Sequence, residues 1–171
     1  MPNAIPPATP ADGNMRVDVL TAAAGSIPTL TELNADTVAN ISCYLTPDGF
    51  AFTQEQATIT DERLCSTETF GLPGRKSSTL SLTGIDNTNS EYETEYNEMA
   101  DALTEGADRI VVARWGLPYD TPYAAGQKIR VIPIRVGMKA EQSPEANSVI
   151  RSTWSTFVSG PSDLVEIPTG G

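Results

Sequence analysis

Met15-Arg-Val-Asp-Val-Leu20 alternates apolar and charged side chains with a period of two. Successive side chains of an extended chain point to opposite faces, so this spacing reads as a strand with Arg16 and Asp18 on one side. Working outward, the same signature recurs. Ile41-Ser-Cys-Tyr-Leu45 reads as a second short strand, closed by the turn signal Thr46-Pro-Asp-Gly49. Residues 50–60 form a longer strand in which Phe52 and Ile59 stand among Gln54, Glu55, Gln56, Thr58 and Thr60. A strand so polar must turn one face to water or charge. Ser77-Ser-Thr-Leu-Ser-Leu-Thr-Gly84 is equally half-wet, with Leu80 and Leu82 sharing one face. Between these two lie residues 61–76, whose Gly71, Pro73 and Gly74 mark a long connection.

Three more strands are expected at residues 109–115, 128–136 and 148–157, and a short one at 164–167. Pro133 assigns the 128–136 strand to an edge or a bulge, because proline has no amide to donate to a ladder. A single helix is expected over residues 90–104. Ser90 and Glu93 have capping-box spacing, Tyr92, Tyr96, Met99, Ala100 and Leu103 make an apolar packing stripe, and Gly106 ends the helix. The opposite side carries Glu91, Glu95, Glu98 and Asp101. This element order predicts a mainly β fold: a β-sandwich or barrel of two packed antiparallel sheets with one flanking α-helix. Residues 1–13, with four prolines, form an extended N-terminal arm, either a disordered tag or a strap on a neighbour. Residues 14–158 make the domain and 159–171 a loose C-terminal tail.

The 171 residues suffice for one domain. Hydrophobic residues make up 39% and aromatics 6%, a modest share that leaves room for a partner to complete the burial. Twenty-two acidic against eleven basic residues leave a net charge of −11. Such a surface repels phosphate backbones and anionic lipid, so neither nucleic-acid recognition nor membrane binding is expected; solubility alone also explains the acidity. No apolar run is long enough to span a bilayer and no signal peptide is visible, which points to synthesis in the cytoplasm.

The chemistry of catalysis is missing. Without histidine there is no Ser-His-Asp or Cys-His site and no histidine-bearing zinc site, and no phosphate-cradling glycine motif occurs. Asp61 and Glu62 are adjacent, so on a strand they point apart and cannot act as a glycosidase pair. Glu91, Glu93, Glu95 and Glu98 lack EF-hand spacing and read as a solvated helix face. No metal or cofactor is expected. Cys43 and Cys65 read as two buried thiols, with a single bridge as the alternative. Trp115 and Trp154 read as core residues, with a subunit contact as the alternative.

Several phrases in order resemble a known family: Ile27-Pro-Thr-Leu-Thr-Glu-Leu-Asn34 leading into 41–45, then Ala102-Leu-Thr-Glu-Gly106, Ile110-Val-Val-Ala-Arg-Trp-Gly116, Tyr119-Asp-Thr-Pro-Tyr-Ala-Ala-Gly126 and Val131-Ile-Pro-Ile134. Their order and spacing, over residues 14–157, resemble the major tail (tail tube) proteins of long-tailed, siphovirus-type bacteriophages, especially those of actinobacteria. The resemblance implies a virion subunit that forms hexameric rings stacked into a hollow tube for DNA. It implies as partners the chain itself, the tape measure protein, the tail terminator and the distal tail or tip proteins, with double-stranded DNA as transient cargo. By analogy residues 61–76 become the inter-ring loop, with Asp61, Glu62, Arg63, Arg75 and Lys76 pairing across rings. Glu55, Ser77, Thr79 and Ser81 become lumen-lining residues. The competing reading is an extracellular or virion β-sandwich module for binding or decoration, and the third is a small enzyme of unrecognised type.

Overall fold

The computed structural model describes residues 5–23 and 25–168. Its strands are β1 (Met15–Leu20), β2 (Ala39–Asn40), β3 (Leu45–Asp61), β4 (Phe70–Ile85), β5 (Asp108–Trp115), β6 (Lys128–Glu141), β7 (Arg151–Val158) and β8 (Leu164–Glu166). Two short helices, α1 (Leu30–Leu33) and α2 (Glu98–Ala102), complete the described elements. The fold is mainly β and antiparallel, as the alternation predicts. The strands form one hydrogen-bonded sheet, in the order β2-β1-β5-β6-β7-β4-β3, with β8 added beside β6. The sheet curls, so that its two halves face each other across a core.

Two apolar clusters follow from the alternation. Val17 and Val19 of β1, Val111 and Ala113 of β5, and Ile132, Ile134 and Val136 of β6 point inward. They meet Leu80 and Leu82 of β4, Trp154 of β7, and Met99 and Leu103 from α2 and its end. The opposite face of β1, β5 and β6 gives Leu20, Val112, Ile129 and Val131 to a second cluster with Leu33, Tyr123 and Ile167. A strand covered on both faces needs apolar residues at consecutive positions, which explains the run Ile110-Val-Val-Ala113.

The alternation of β1 has a polar consequence. Asp18 lies wholly buried and pairs with Arg16 at 2.7 Å. Beside it Arg114, also buried, donates to the carbonyls of Pro118, Thr121 and Pro122 and to Gln127 Oε1. This guanidinium clips the 116–127 connection onto the sheet. Both guanidiniums stack on the Tyr123 ring, at 4.7 and 5.0 Å from its centroid. Burial pushes the pKa of the Asp18 carboxyl and the Tyr123 phenol upward.

Several local expectations are corrected. Residues 41–44 form a turn rather than a strand, with Tyr44 and Leu45 amides bonded to the Ile41 carbonyl. Thr46-Pro-Asp-Gly49 is an irregularity inside β3, between the Leu45–Gly84 and Phe50–Leu82 pairs, and does not end it. Pro133 sits in a central strand. Its carbonyl bonds to the Ser159 amide, so its nitrogen faces the break between β8, which pairs up to Arg130, and β7, which begins at Ile134. A missing donor costs nothing where no acceptor stands opposite.

The helix expected over 90–104 is confined to Glu98–Ala102. Side chains compete for the backbone before it: Asn97 Oδ1 accepts from the Asn87 amide, and Asn87 donates to the Tyr96 carbonyl. The Glu93 carboxylate takes the amide of Asn89, a residue with φ of 64°. Tyr92 and Tyr96 remain exposed and meet edge-on, whereas Met99 and Leu103 are buried. A true capping box occurs at α1, where Thr29 and Glu32 satisfy each other's amides. The short strand expected at 164–167 is present as β8, so residues 159–168 are less loose than the expected tail. Beta strand β8 pairs with β6, and Ile167 is buried and bonded to Gln127 and Gly126. Residues 5–10 of the arm are exposed without regular structure, and residues 1–4 of it lie outside the described residues.

Candidate assembly interface

Strands β3 and β4 take up half of the expected 61–76 connection and form one long hairpin. Only residues 62–69 connect them. The reason is visible in the pairs Thr58–Pro73, Ile59–Leu72 and Asp61–Phe70: the glycines and proline occupy strand positions on a hairpin whose far part packs on nothing else described. Turn-forming residue types there mark irregular pairing at a register shift between Gln56 and Thr58.

The register sorts the hairpin into two faces. Phe50 opposes Leu82 and Phe52 opposes Leu80, and these pairs turn to the core. Ala51 opposes Ser81, Thr53 opposes Thr79 and Glu55 opposes Ser77 on the outer face. The four residues Glu55, Ser77, Thr79 and Ser81 are thus neighbours on one side of two adjacent strands. Thr53 and Thr79 hydroxyls are 2.6 Å apart. The hydroxyl surface extends to β7, where Ser81 opposes Ser155 and the Thr83 and Thr153 hydroxyls meet at 2.8 Å. Phe157 and Met138 add exposed apolar surface beyond it.

The charged residues expected to act together do not gather at one place. Asp61 and Arg63 form an exposed ion pair of 2.9 Å at the tip, beside Glu62. Lys76 lies several rungs back, opposite Gln56, with Arg75 next to it. The surroundings are more apolar than the sequence reading allowed. Ile59, Phe70 and Leu72 share one side of the outer hairpin, each about half exposed, and Leu64 at the tip is fully exposed.

Both cysteines are free and exposed, against the expectation of buried thiols. Cys65 lies in the exposed tip, and Cys43 lies in the 41–44 turn, which sends Ile41 into the core and leaves Cys43 outside. Trp154 is buried, but Trp115 is half exposed and packs edge-on against Phe50.

Among the described residues several strand edges are open, including the outer edge of β2 and the β4 edge before Ser81, and two of them bound the β6-β7-β4-β3 part of the sheet. β3 ends the sheet, so among the described residues no strand pairs with its outer edge. β6 pairs with β5 only as far as Arg135, after which Val136 bonds to the 106–107 loop. Residues 137–141 therefore have β7 on one side, paired from Lys139 to Glu141 after a register shift, and no described strand on the other. Open edges of this length invite pairing with another chain. No sequence signal marked the second edge, because it depends on where β5 stops.

The phage tail tube protein family matches residues 2–170, nearly the whole chain. The chain belongs to the phage tail tube protein family. It is accordingly a structural component of the virion, not an enzyme, and works within the phage tail. The family decides between the tail tube and the decoration module in favour of the first. The fold of this tail tube protein is similar to that of a chain in the six-fold symmetrised cryo-EM structure of the anti-feeding prophage baseplate. The two share 14% identity with a TM-score of 0.50, over 94% of this chain and 97% of that one. No curated protein matches. Among the described residues no helix of this tail tube protein is long and apolar enough to cross a membrane, and no metal-binding cluster occurs.

Proposed function

We propose that this chain is the repeating subunit of the tail tube of a long-tailed phage, closing into hexameric rings that stack around a DNA conduit. The carrying observation is the pair of open edges bounding β6-β7-β4-β3. When the outer edge of β3 in one copy pairs with residues 137–141 of the next, the contact is head-to-tail. A head-to-tail contact generates a ring when its rotation closes, and closure removes both edges.

In this reading the hydroxyl-rich outer face, with Glu55, Ser77, Thr79 and Ser81, lines the lumen. The patch of Glu55, Ser77, Thr79 and Ser81 itself offers DNA no cation to displace its counterions. Arg135 and Arg151 on the same face are paired with Asp108 and Glu145, so the genome slides without anchoring. The hairpin end, with Asp61, Glu62 and Arg63, reaches the adjacent ring. The tape measure protein, the tail terminator and the distal tail or tip proteins would complete the assembly.

Electron microscopy of the purified chain at increasing concentration tests the subunit reading: rings or tubes are expected, and a persistent monomer contradicts it. Phage carrying Glu55→Lys with Thr79→Lys tests the wall. Tails of normal length with DNA release slowed tenfold or more at low salt, and partly restored at high salt, are expected. Unchanged release would place these residues away from the DNA.

A further inference from the structure

An open groove of about 460 Å³ lies at the start of β3, lined by Met15, Leu45, Pro47 and Phe50, with Cys43 and Tyr119 at its border. Trp115 packs edge-on against Phe50. The groove thus combines aliphatic and aromatic surface with open access, the composition of a site that receives an apolar side chain.

The other end of the same strand presents the counterpart. β3 runs for 17 residues, about 50 Å at the rise of a strand, from the groove to the hairpin tip. The last rungs, from Thr58–Pro73 to Asp61–Phe70, extend past the ladder that β4 makes with β7, which covers only Ser81–Ile85. The tip they carry holds Leu64, whose side chain makes no shelter with its own chain, and Cys65 next to it. An apolar knob and an apolar socket at opposite ends of one strand are complementary under translation along that strand. Within one copy they cannot meet.

We propose that the groove is the socket for the hairpin tip of a second copy in the adjacent ring, with Leu64 entering between Met15, Leu45 and Phe50. Burial of one leucine and the apolar side of the outer hairpin supplies the drive, and the repeat is open-ended because each copy carries one knob and one socket. Cys65 of one copy then lies beside Cys43 of the next, although neither forms a disulfide within its own chain. The proposal rests on the stacked-ring reading. The competing occupant is the proline-rich arm, but residues 11–13 of that arm already form part of the groove's own wall.

The native thiols give the test. Assembled tubes of the full chain, exposed to copper–phenanthroline in air, should show a ladder of covalent oligomers without reductant. Cys43→Ser and Cys65→Ser should each abolish the ladder, and a mixture of the two variants should stop at dimers. Leu64→Asp should keep the circular dichroism and melting temperature of the free subunit while raising the concentration needed for tubes at least tenfold. Normal polymerisation of Leu64→Asp together with tubes that give no Cys43–Cys65 cross-link would overturn the socket and leave the tube reading intact. Loss of stacking on deletion of residues 2–10, with Leu64→Asp unaffected, would assign the groove to the arm and also overturn it. A wild-type chain that forms neither rings nor tubes defeats the tube reading itself.

Discussion

The Lys139 ammonium lies 2.6 Å from the Asp86 carboxylate, whose side chain is only 4% exposed. The contact ties β6 to the end of β4 across β7, and Lys139 also stands over the Trp154 ring at 5.8 Å. Asp86 further accepts from the hydroxyls of Ser152 and Thr88. It anchors the point where the polar half of the sheet joins the core.

This anchor should make stability depend on acid. Burial by itself raises the Asp86 pKa, but hydrogen bonds from Lys139, Ser152 and Thr88 outweigh it and hold the carboxyl well below its ordinary value of 3.8. A depressed pKa in the folded state means that the unfolded chain takes up the proton first. The contribution is therefore complete above the ordinary aspartate range and is lost as pH falls through and below it. Thermal melts between about pH 6 and pH 3 should show a steeper loss for wild type than for Asp86→Asn. At neutral pH that variant should be less stable by about 2 kcal/mol. Parallel pH profiles would contradict the assignment.

Arg114 should be irreplaceable by lysine. Its guanidinium serves four acceptors at once, three of them carbonyls of the 116–122 connection, and a single ammonium cannot span them. Arg114→Lys should cost about 2–3 kcal/mol in denaturant melts, since buried carbonyls lose their donors. Limited proteolysis should then cut first between residues 116 and 127. Equal cleavage patterns would show that the loop is held by other contacts.

Gly84 should reject any side chain. A Cβ there would stand 2.5 Å from Met99 Sδ and 2.8 Å from the Tyr44 carbonyl oxygen. Gly84→Ala should lower stability by about 1–3 kcal/mol through displacement of α2. Gly106 has open space around it and a φ of 80°, so Gly106→Ala should cost only the left-handed backbone, about 1 kcal/mol. Comparing the two melting temperatures separates crowding from backbone strain.

Much of this architecture was legible in one dimension. The alternation at Met15–Leu20 and the apolar run at Ile110–Ala113 define strands because side-chain direction in an extended chain follows from parity alone. The same parity set the serines and threonines of β4 opposite Leu80 and Leu82, and only the register of β3 against β4 makes Glu55 a neighbour of Ser77, Thr79 and Ser81. The helix over 90–104 failed because periodicity does not report competition. Asn87, Glu93 and Asn97 hold backbone groups that a helix would have used.

By itself the sequence determined the β class, the half-polar strands, the acidity and the absence of catalytic groups, all properties of residue type and spacing. Only the tertiary structure decided that one sheet curls on itself, that residues 70–76 extend a strand, and that β6 keeps an open edge beyond Arg135. It also decided that both cysteines are exposed and that Leu64 and an apolar groove lie at opposite ends of β3. These depend on which strands pair and where pairing stops. That choice is made by contacts between residues far apart in sequence, which no local pattern encodes.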